Sequence, residues 1–134
     1  MSHVIEIKVR GYHLDLFRHV NNARYLEFLE EARWSFLEQT DNLAILEQQG
    51  YAFAVVNINI NYRRAAYMGE ILRIVTSMKS IGERRCVMHQ AILLQDSATV
   101  IADADVTFVI VDTRLEKAVR LEGEMRKNLE RMTD

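Results

Sequence analysis

Residues 11–33 hold most of the side chains in this sequence that could do chemistry. At the end of a loop and the start of a predicted helix, eleven residues include Asp15, His19, Asn22 and Tyr25. The first N–H groups of a helix have no intrahelical partner and lie at the positive end of its dipole, so they stabilise an anion. A carbonyl oxygen held by the backbone N–H of Asn22 or a neighbour would become such an anion during acyl transfer. Asp15 could attack that carbonyl as a nucleophile or activate water as a base, and both routes stay open.

Each of these residues also has an ordinary structural interpretation. Asp15 could simply cap the helix, and His19 could be a hydrogen-bonded loop histidine. Asn21 or Asn22 could be the N-cap residue. A metal site is not predicted, because His13, Asp15 and His19 lack further ligands at a recognised spacing. Residue types alone therefore do not decide between chemistry and structure.

A long helix is predicted over about residues 22–39. Strong helix formers dominate, and one stripe at helical spacing is apolar: Tyr25, Leu26, Leu29, Ala32, Phe36 and Leu37. Phe28 and Trp34 lie off this stripe, so the helix is apolar over more than half of its circumference. We expect a sheet to wrap this helix or a second subunit to cover it. A shorter helix, capped by Asp41 and ended by Gly50, is predicted next.

Strand-like alternation dominates the rest of the chain. A first strand ends near Gly11, and a long second strand is predicted to place one apolar set on a single face: Ala54, Val56, Ile58, Ile60 and Tyr62. Further strands are expected near residues 70–80, 84–95 and 98–112, before a terminal helix over residues 122–132. Long strands joined by short turns favour antiparallel pairing.

These elements predict one domain, residues 1–134, of the α+β class. We expect an antiparallel sheet of about five strands around one long central helix. Asp103 and Asp105 lie two apart in the last strand and are interpreted as its solvated face, because paired acids act together only where they converge on a pocket. The open edges of such a sheet would suit association between subunits.

The composition limits the class of protein. A net charge of −2 argues against a nucleic-acid binder that works by general phosphate attraction. No apolar stretch of ~20 residues could span a bilayer, and residues 1–10 hold no run typical of a signal peptide. The lone cysteine, Cys86, cannot form an intramolecular disulfide and is interpreted as a plain strand thiol. We therefore expect a cytoplasmic protein without nucleic-acid or membrane partners.

The run DLFRHVNNARYLEFLEEAR, residues 15–33, resembles the signature of the 4-hydroxybenzoyl-CoA thioesterase group of hotdog proteins. The likeness is strongest to the long-chain acyl-CoA thioesterase branch of that group, and it continues through NININYRRAA (57–66) and DADVTFV (103–109). It therefore covers nearly the whole chain. The resemblance implies a hotdog fold, no cofactor, and hydrolysis of medium- to long-chain acyl-CoA to free fatty acid and CoA.

The same resemblance implies roles for particular residues. Asp15 matches the catalytic aspartate of the family. Asn22 stands at the helix start, where related thioesterases place the oxyanion-binding backbone N–H, although some relatives have histidine there. His19 and Tyr25 match the motif as substrate-site positions.

The resemblance also implies a site for the CoA phosphates and an oligomer. Arg63 and Arg64 match the basic pair of the family's YRRP segment, and guanidinium groups bind phosphate bidentately. Ala65 stands here in place of the proline. Active sites of the family lie at a dimer interface, so a homodimer, or a homotetramer made of two dimers, is expected.

Two other functions remain open from the sequence. An acyl-ACP thioesterase would share the chemistry and differ in its carrier surface, and plant enzymes of that kind carry a similar aspartate followed by HVNN and a tyrosine. A non-catalytic hotdog protein that binds acyl thioesters would lose turnover. The presence of Asp15 beside the helix start argues against the latter.

Overall fold

The computed structural model describes residues 2–133, and its main element is an antiparallel sheet. The long strands are β1 (Ser2–Lys8), β2 (Tyr51–Tyr62), β3 (Ile71–Ile81), β4 (Cys86–Leu94) and β5 (Val100–Asp112). They pair in the order β1-β3-β4-β5-β2, and the short strand β6 (Lys117–Ala118) pairs with β5. The predicted α+β class and antiparallel sheet are confirmed.

Three helices accompany the sheet: α1 (Asn22–Gln39), α2 (Asn42–Gln48) and α3 (Gly123–Glu130). The N-cap of α1 is Asn21, whose side chain accepts a hydrogen bond from the N–H of Ala23 at 2.9 Å. Asp41 precedes α2 as predicted, but its backbone is left-handed, with φ of 60°, and its side chain makes no cap hydrogen bond. The prediction that the Asp41 carboxylate caps α2 is therefore wrong.

The face of α1 that is turned to the sheet forms the centre of the core. Phe28, Leu29, Ala32 and Phe36 are buried on this face, and α1 packs on β1 and β3. Trp34 is 47% exposed, so the sheet covers only part of the apolar circumference that the sequence predicted for α1.

A β-bulge at Val56 interrupts β2. Val55 pairs with Phe108 and Asn57 pairs with Thr107, so Val56 has no partner of its own. A bulge adds one residue and reverses the alternation of side chains beyond it. The face of β2 that is turned to α1 consequently consists of Tyr51, Phe53 and Val55 before the bulge and of Ile58, Ile60 and Tyr62 after it.

The prediction that Ala54 and Val56 share a face with Ile58 is wrong for this reason. Ala54 pairs with Val109, on the outer face of the sheet. A sequence pattern of period two assumes an uninterrupted ladder, and nothing in the run AVVNININ marks where the extra residue falls.

The two aspartates of β5 lie on the outer face, each with cationic partners. Asp103 accepts two hydrogen bonds from Arg63, and Asp105 accepts from Lys79 at 2.8 Å and lies 2.9 Å from Nδ1 of His89. These hydrogen bonds hold the pKa of both carboxyl groups below the usual range. The carboxylates bind different partners and do not converge on one pocket, in agreement with the predicted solvated face.

Cys86 is buried at the start of β4. Burial raises the pKa of its thiol to about 12, so the thiol stays protonated at neutral pH and is a poor nucleophile. This agrees with its interpretation as a plain strand thiol. Of the helices within residues 2–133, none combines the length and the apolar character needed to cross a membrane.

Candidate active site

A pocket of about 470 Å³ lies at the start of α1. It is lined by residues from the loop before α1, from the first turn of α1 and from the end of β2: Asp15, His19, Val20, Asn22, Tyr25, Tyr62, Arg63, Arg64 and Ala65. All six site residues predicted from the sequence are in this set. The structure therefore brings them together, while their individual chemical roles stay predictions.

The Asp15 carboxylate is held in a tight loop that α1 follows directly. Its Oδ1 accepts a hydrogen bond from the N–H of Phe17 at 2.9 Å. Backbone bonds from Asp15 N–H to His19 O (3.1 Å) and from Arg18 N–H to Asp15 O (3.0 Å) close the loop. Within residues 2–133, the Oδ2 of Asp15 makes no hydrogen bond, and the residue lines the pocket. Since Asn21 caps α1, the interpretation of Asp15 as the helix cap does not hold.

One backbone N–H at the start of α1 has no acceptor among residues 2–133. Asn21 N–H donates to His13 O at 3.0 Å. Ala23 N–H and Arg24 N–H both donate to Asn21, at 2.9 and 2.8 Å. In the described part of the chain, the N–H of Asn22 has no acceptor, although Asn22 lines the pocket. A free donor at a helix N-terminus can stabilise an oxyanion, which is the role that the sequence predicts for this group.

His19 lies between two aromatic rings at the edge of the pocket. It stacks on Phe17, with ring centroids 6.2 Å apart, and meets the edge of Tyr67 at 6.4 Å. Its nearest hydrogen-bonding contact is long, at 3.5 Å from Nδ1 to Val20 O. The ring is thus positioned mainly by stacking, and its nitrogen atoms remain able to bind a substrate.

Tyr25 anchors the turn that follows β2. Its ring is buried, and its hydroxyl accepts a hydrogen bond from the N–H of Ala66 at 3.1 Å. Burial raises the pKa of this hydroxyl, so it stays protonated at neutral pH. Val20 N–H donates to Ala66 O at 2.9 Å and fixes the same turn from the other side. Tyr25 therefore holds the two chain segments of the pocket together, a role that its position in a helical motif did not reveal.

We expect Tyr25→Phe to lower stability more than it lowers the chemical rate. The substitution keeps the ring and leaves the buried N–H of Ala66 without an acceptor, a loss of about 1–3 kcal/mol in the free energy of unfolding. Urea denaturation and kcat would measure the two effects, with Tyr12→Phe as the control because the ring of Tyr12 is exposed. A fall in kcat of a hundredfold or more with unchanged stability would instead place the hydroxyl in the reaction.

The two arginines of the pocket are both ion-paired. Arg63 binds Asp103 through Nε at 2.6 Å and Nη2 at 3.3 Å. Arg64 Nη1 binds both carboxylate oxygens of Glu70, at 3.0 and 3.1 Å. Both guanidinium groups are partly exposed, and each keeps N–H donors that these carboxylates do not use. These unused donors can still bind an anion, but Asp103 and Glu70 already neutralise the positive charges of the two arginines.

Ala65, which stands where the family has proline, lies in a well-fixed turn. The N–H groups of Arg63 and Arg64 both donate to Ile101 O, at 2.9 and 3.1 Å. The N–H of Ala66 donates to the Tyr25 hydroxyl, and its carbonyl oxygen accepts from Val20 N–H. Hydrogen bonds thus restrain the turn without the ring of a proline.

Tyr62 is a pocket residue that the sequence analysis did not select. Its hydroxyl donates to the Asn22 carbonyl oxygen at 3.2 Å, and its ring centroid lies 5.5 Å from that of Tyr25. The hydrogen bond joins the end of β2 to the start of α1. The only sequence signal is that Tyr62 directly precedes the arginine pair.

An antiparallel sheet curled around a long helix is the arrangement of the hotdog fold, and the chain belongs to the thioesterase-like superfamily, whose family model matches residues 9–129. The chain is 50% identical over 127 residues to the long-chain acyl-CoA thioesterase FadM of Escherichia coli K12, which covers 95% of this chain and 96% of that protein.

Two further similarities fit this membership. The crystal structure of YbaW, a probable thioesterase from Escherichia coli, aligns with a TM-score of 0.93 at 48% identity, over 98% of this chain and 99% of that one. The acyl-acyl carrier protein thioesterase ATL2 of Arabidopsis thaliana is 29% identical over 113 residues, which are 84% of this chain and 60% of that protein.

Proposed function

We propose that the protein hydrolyses long-chain acyl-CoA to free fatty acid and CoA. The observation that carries the proposal is that Asp15 and Asn22 line one pocket and that the Asn22 N–H has no acceptor among residues 2–133. The 50% identity to FadM supports the same substrate class.

Either of two routes would use these groups. In the first, an Asp15 oxygen attacks the thioester carbon, the C–S bond breaks, the CoA thiolate leaves, and water hydrolyses the resulting anhydride. In the second, Asp15 takes a proton from the water that attacks. In both, the Asn22 N–H would stabilise the oxyanion, a contribution of roughly 3 kcal/mol per donor in other enzymes. A thiolate is a good leaving group, so neither route needs a strong general acid.

The other pocket residues would bind the substrate. Arg63 and Arg64 are proposed to bind CoA phosphates through the N–H donors that Asp103 and Glu70 leave unused. His19 and Tyr25 would border the thioester and the acyl chain. A lower affinity for CoA, without a change in fold, is the result that Arg64→Ala should give in calorimetry.

We also propose that the protein forms at least a homodimer. β2 is an edge strand of 12 residues, so one row of its backbone groups lacks a neighbouring strand among residues 2–133. Such an edge pairs readily with another strand, and Val56 on it is half exposed. A monomeric mass by light scattering at micromolar concentration would contradict this. The cytoplasmic location expected from the sequence stays a prediction that cell fractionation would test.

Thiol release from acyl-CoAs of increasing length tests the proposed function directly. We expect kcat/KM to rise from acetyl- to palmitoyl-CoA, with an aromatic acyl-CoA as a comparison for the wider family. Absence of thiol release across the whole series would contradict an acyl-CoA thioesterase.

The second candidate is an acyl-ACP thioesterase, favoured by the 29% identity to ATL2. Hydrolysis of palmitoyl-ACP with no hydrolysis of palmitoyl-CoA would select it. Binding of both thioesters without any hydrolysis would select the non-catalytic acyl-binding protein.

A further inference from the structure

His13 is a buried histidine that lies just before the Asp15 loop. Only 7% of its surface is exposed, and it is the last residue of a short 3₁₀ turn, Gly11–His13. It is not among the residues that line the pocket at the start of α1, and the chemistry proposed there does not use it. Burial disfavours a charged ring, so His13 is suited to a task that its neutral form performs.

The ring of His13 joins the 3₁₀ turn to α1. Its Nδ1 accepts a hydrogen bond from Arg10 N–H at 2.8 Å, and the His13 N–H donates to Arg10 O at 3.0 Å. The ring also meets the ring of Phe28 on α1, with centroids 4.9 Å apart and planes at 86°. Arg10 therefore fixes both the side chain and the backbone of His13, and Phe28 fixes the ring against the helix.

The carbonyl oxygen of His13 holds the cap of α1. It accepts a hydrogen bond from the N–H of Asn21, the N-cap residue, at 3.0 Å. Asn21 in turn accepts from the N–H groups of Ala23 and Arg24. Among residues 2–133 this leaves the Asn22 N–H as the donor without an acceptor. The place of the His13 carbonyl therefore sets the place of the cap and of the Asn22 N–H that follows it.

His13 also stands at the start of the loop that carries Asp15. The bridge between Leu14 and Val20 closes this loop just inside the hydrogen bond between His13 and Asn21. The loop and the start of α1 are thus joined at one place. A shift of His13 relative to α1 would change the distance between the Asp15 carboxylate and the free N–H at the helix start.

These contacts require an uncharged His13 ring. Nδ1 can accept from Arg10 N–H only while it carries no proton, since a protonated Nδ1 would set two donors against each other. Burial and, after it, the guanidinium groups of Arg24 and Arg10 lower the pKa of this ring below its ordinary value of 6.5. The Glu27 carboxylate opposes the lowering of this pKa, and the titratable phenol of Tyr12 contacts the ring at 4.3 Å between centroids. At neutral pH the ring is therefore uncharged.

We propose that uncharged His13 is a positioning residue of the candidate active site, because its ring holds the turn whose carbonyl oxygen places the helix cap, and with it the Asn22 N–H, relative to Asp15. Protonation of the ring breaks its bond to Arg10, releases this arrangement and lowers the reaction rate. The inference rests on the proposed function and deepens it, since it adds a residue that acts without touching the substrate.

The native protein should lose rate on the acid side of neutrality. As the pH decreases below 6.5 and through the lowered pKa of His13, the ring takes up a proton and kcat for palmitoyl-CoA falls. The stability that neutral His13 supplies changes in the same direction, because the unfolded chain binds this proton at a higher pH than the native state does. It is complete above the ordinary pKa and declines as the pH falls toward the lowered one.

Two substitutions separate the acceptor of His13 from its charge. In His13→Asn, the amide oxygen can accept from Arg10 N–H in place of Nδ1 and does not titrate. We expect this variant to keep kcat within about threefold of the native value at slightly alkaline pH, as a retained hydrogen bond predicts. The part of the acid-side fall that His13 causes should disappear.

His13→Phe keeps a ring against Phe28 but has no acceptor. At slightly alkaline pH it should lower kcat about tenfold, since a misplacement of ~1 Å in a site can cost about 10²-fold in rate. KM for palmitoyl-CoA should change much less than kcat, because the arginine pair keeps its contacts. A His13→Phe protein that is folded and has native kcat would overturn the proposal.

His3→Phe is the matched control for His13→Phe. His3 is also a buried histidine, its Nε2 lies 2.7 Å from Ser35 Oγ, and its ring stacks on a phenylalanine of α1, Phe36. Phe36 is fourteen residues beyond Asn22, which is about 21 Å along a helix. His3→Phe should lower stability and leave kcat unchanged. Equal losses of kcat in the two variants would make His13 an ordinary core residue and overturn the proposal.

NMR of the helix cap tests the linkage without any turnover. In protein made with isotope-labelled asparagine, the N–H signals of Asn21 and Asn22 are followed as the pH is lowered, and the ring signal that is missing from His13→Asn identifies His13. We expect both N–H signals to shift with the same midpoint as the His13 ring, and this shift to be absent from His13→Asn.

The NMR and kinetic outcomes decide between the two proposals. N–H signals that do not follow the His13 ring, or a pH profile of kcat that is the same in His13→Asn and the native protein, would each overturn the role of His13. Linked N–H shifts in a protein that releases no thiol from palmitoyl-CoA would retain that role and reject the thioesterase activity. Both readouts use His13→Asn, so the test stands even where His13→Phe does not fold.

Discussion

Asp15→Asn is expected to lower kcat for palmitoyl-CoA by roughly 10²- to 10⁴-fold, the range of rate that a positioned acid–base group supplies. An amide cannot take a proton from water and is a far weaker nucleophile than a carboxylate, so both proposed routes lose their reacting group. The loop should keep its shape, because the Oδ1 of asparagine can still accept the hydrogen bond of Phe17 N–H. Steady-state thiol release and calorimetric binding of palmitoyl-CoA measure the two effects separately.

Asp96→Asn provides the control for this experiment. Asp96 lies in the turn between β4 and β5 with φ of 59°, a left-handed conformation that asparagine also tolerates. Activity of this variant should equal that of the native protein. Full turnover by Asp15→Asn would show that the carboxylate does not react. His19, which lines the same pocket, would then be the candidate for the reacting group.

Phe36→Ala is expected to cost about 3–5 kcal/mol in the free energy of unfolding, as large-to-small substitutions in a core do. The Phe36 side chain is completely buried and stacks on the ring of His3, with centroids 5.5 Å apart. It packs in the core beside Met88 and Ile110, between α1 and the sheet. Since total stability of a domain is about 5–15 kcal/mol, this loss is a large fraction of it.

Phe17→Ala removes the same number of atoms from a side chain that is 74% exposed. We expect its unfolding free energy to stay within about 0.5 kcal/mol of the native value. Urea denaturation of both variants gives the comparison. Equal losses would mean that Phe36 is not enclosed as described, or that a partner subunit buries Phe17.

The sequence predicted the elements of the fold well because hydrophobic periodicity depends on burial, and burial follows a regular period along α1 and β5. It failed where local geometry departs from regularity. The bulge at Val56 depends on how β2 pairs with β5, a long-range relation that no run of residues encodes. The backbone of Asp41 is likewise left-handed, and its side chain does not make the hydrogen bond at the start of α2 that an aspartate in this position predicts.

The candidate site was predicted residue by residue because most of its members lie close together in the chain. Asp15 to Tyr25 form one segment, and the resemblance added the arginine pair. Ion pairs were not predictable: Arg63 meets Asp103 only because β2 and β5 pair in a particular register. The anchoring role of Tyr25 depends on the approach of Ala66, 41 residues further along.

The isolated bridge between Leu14 and Val20 has a consequence for how the protein could diversify. The bridge closes a short loop that holds the Asp15 carboxylate, and the Asn22 N–H lies just beyond that loop, at the start of α1. The pocket residues Tyr62, Arg63 and Arg64, at and just after the end of β2, belong to a different part of the chain. Substitutions at the end of β2 could therefore change substrate choice while the loop before α1 stays constant, so the two properties would be free to evolve independently.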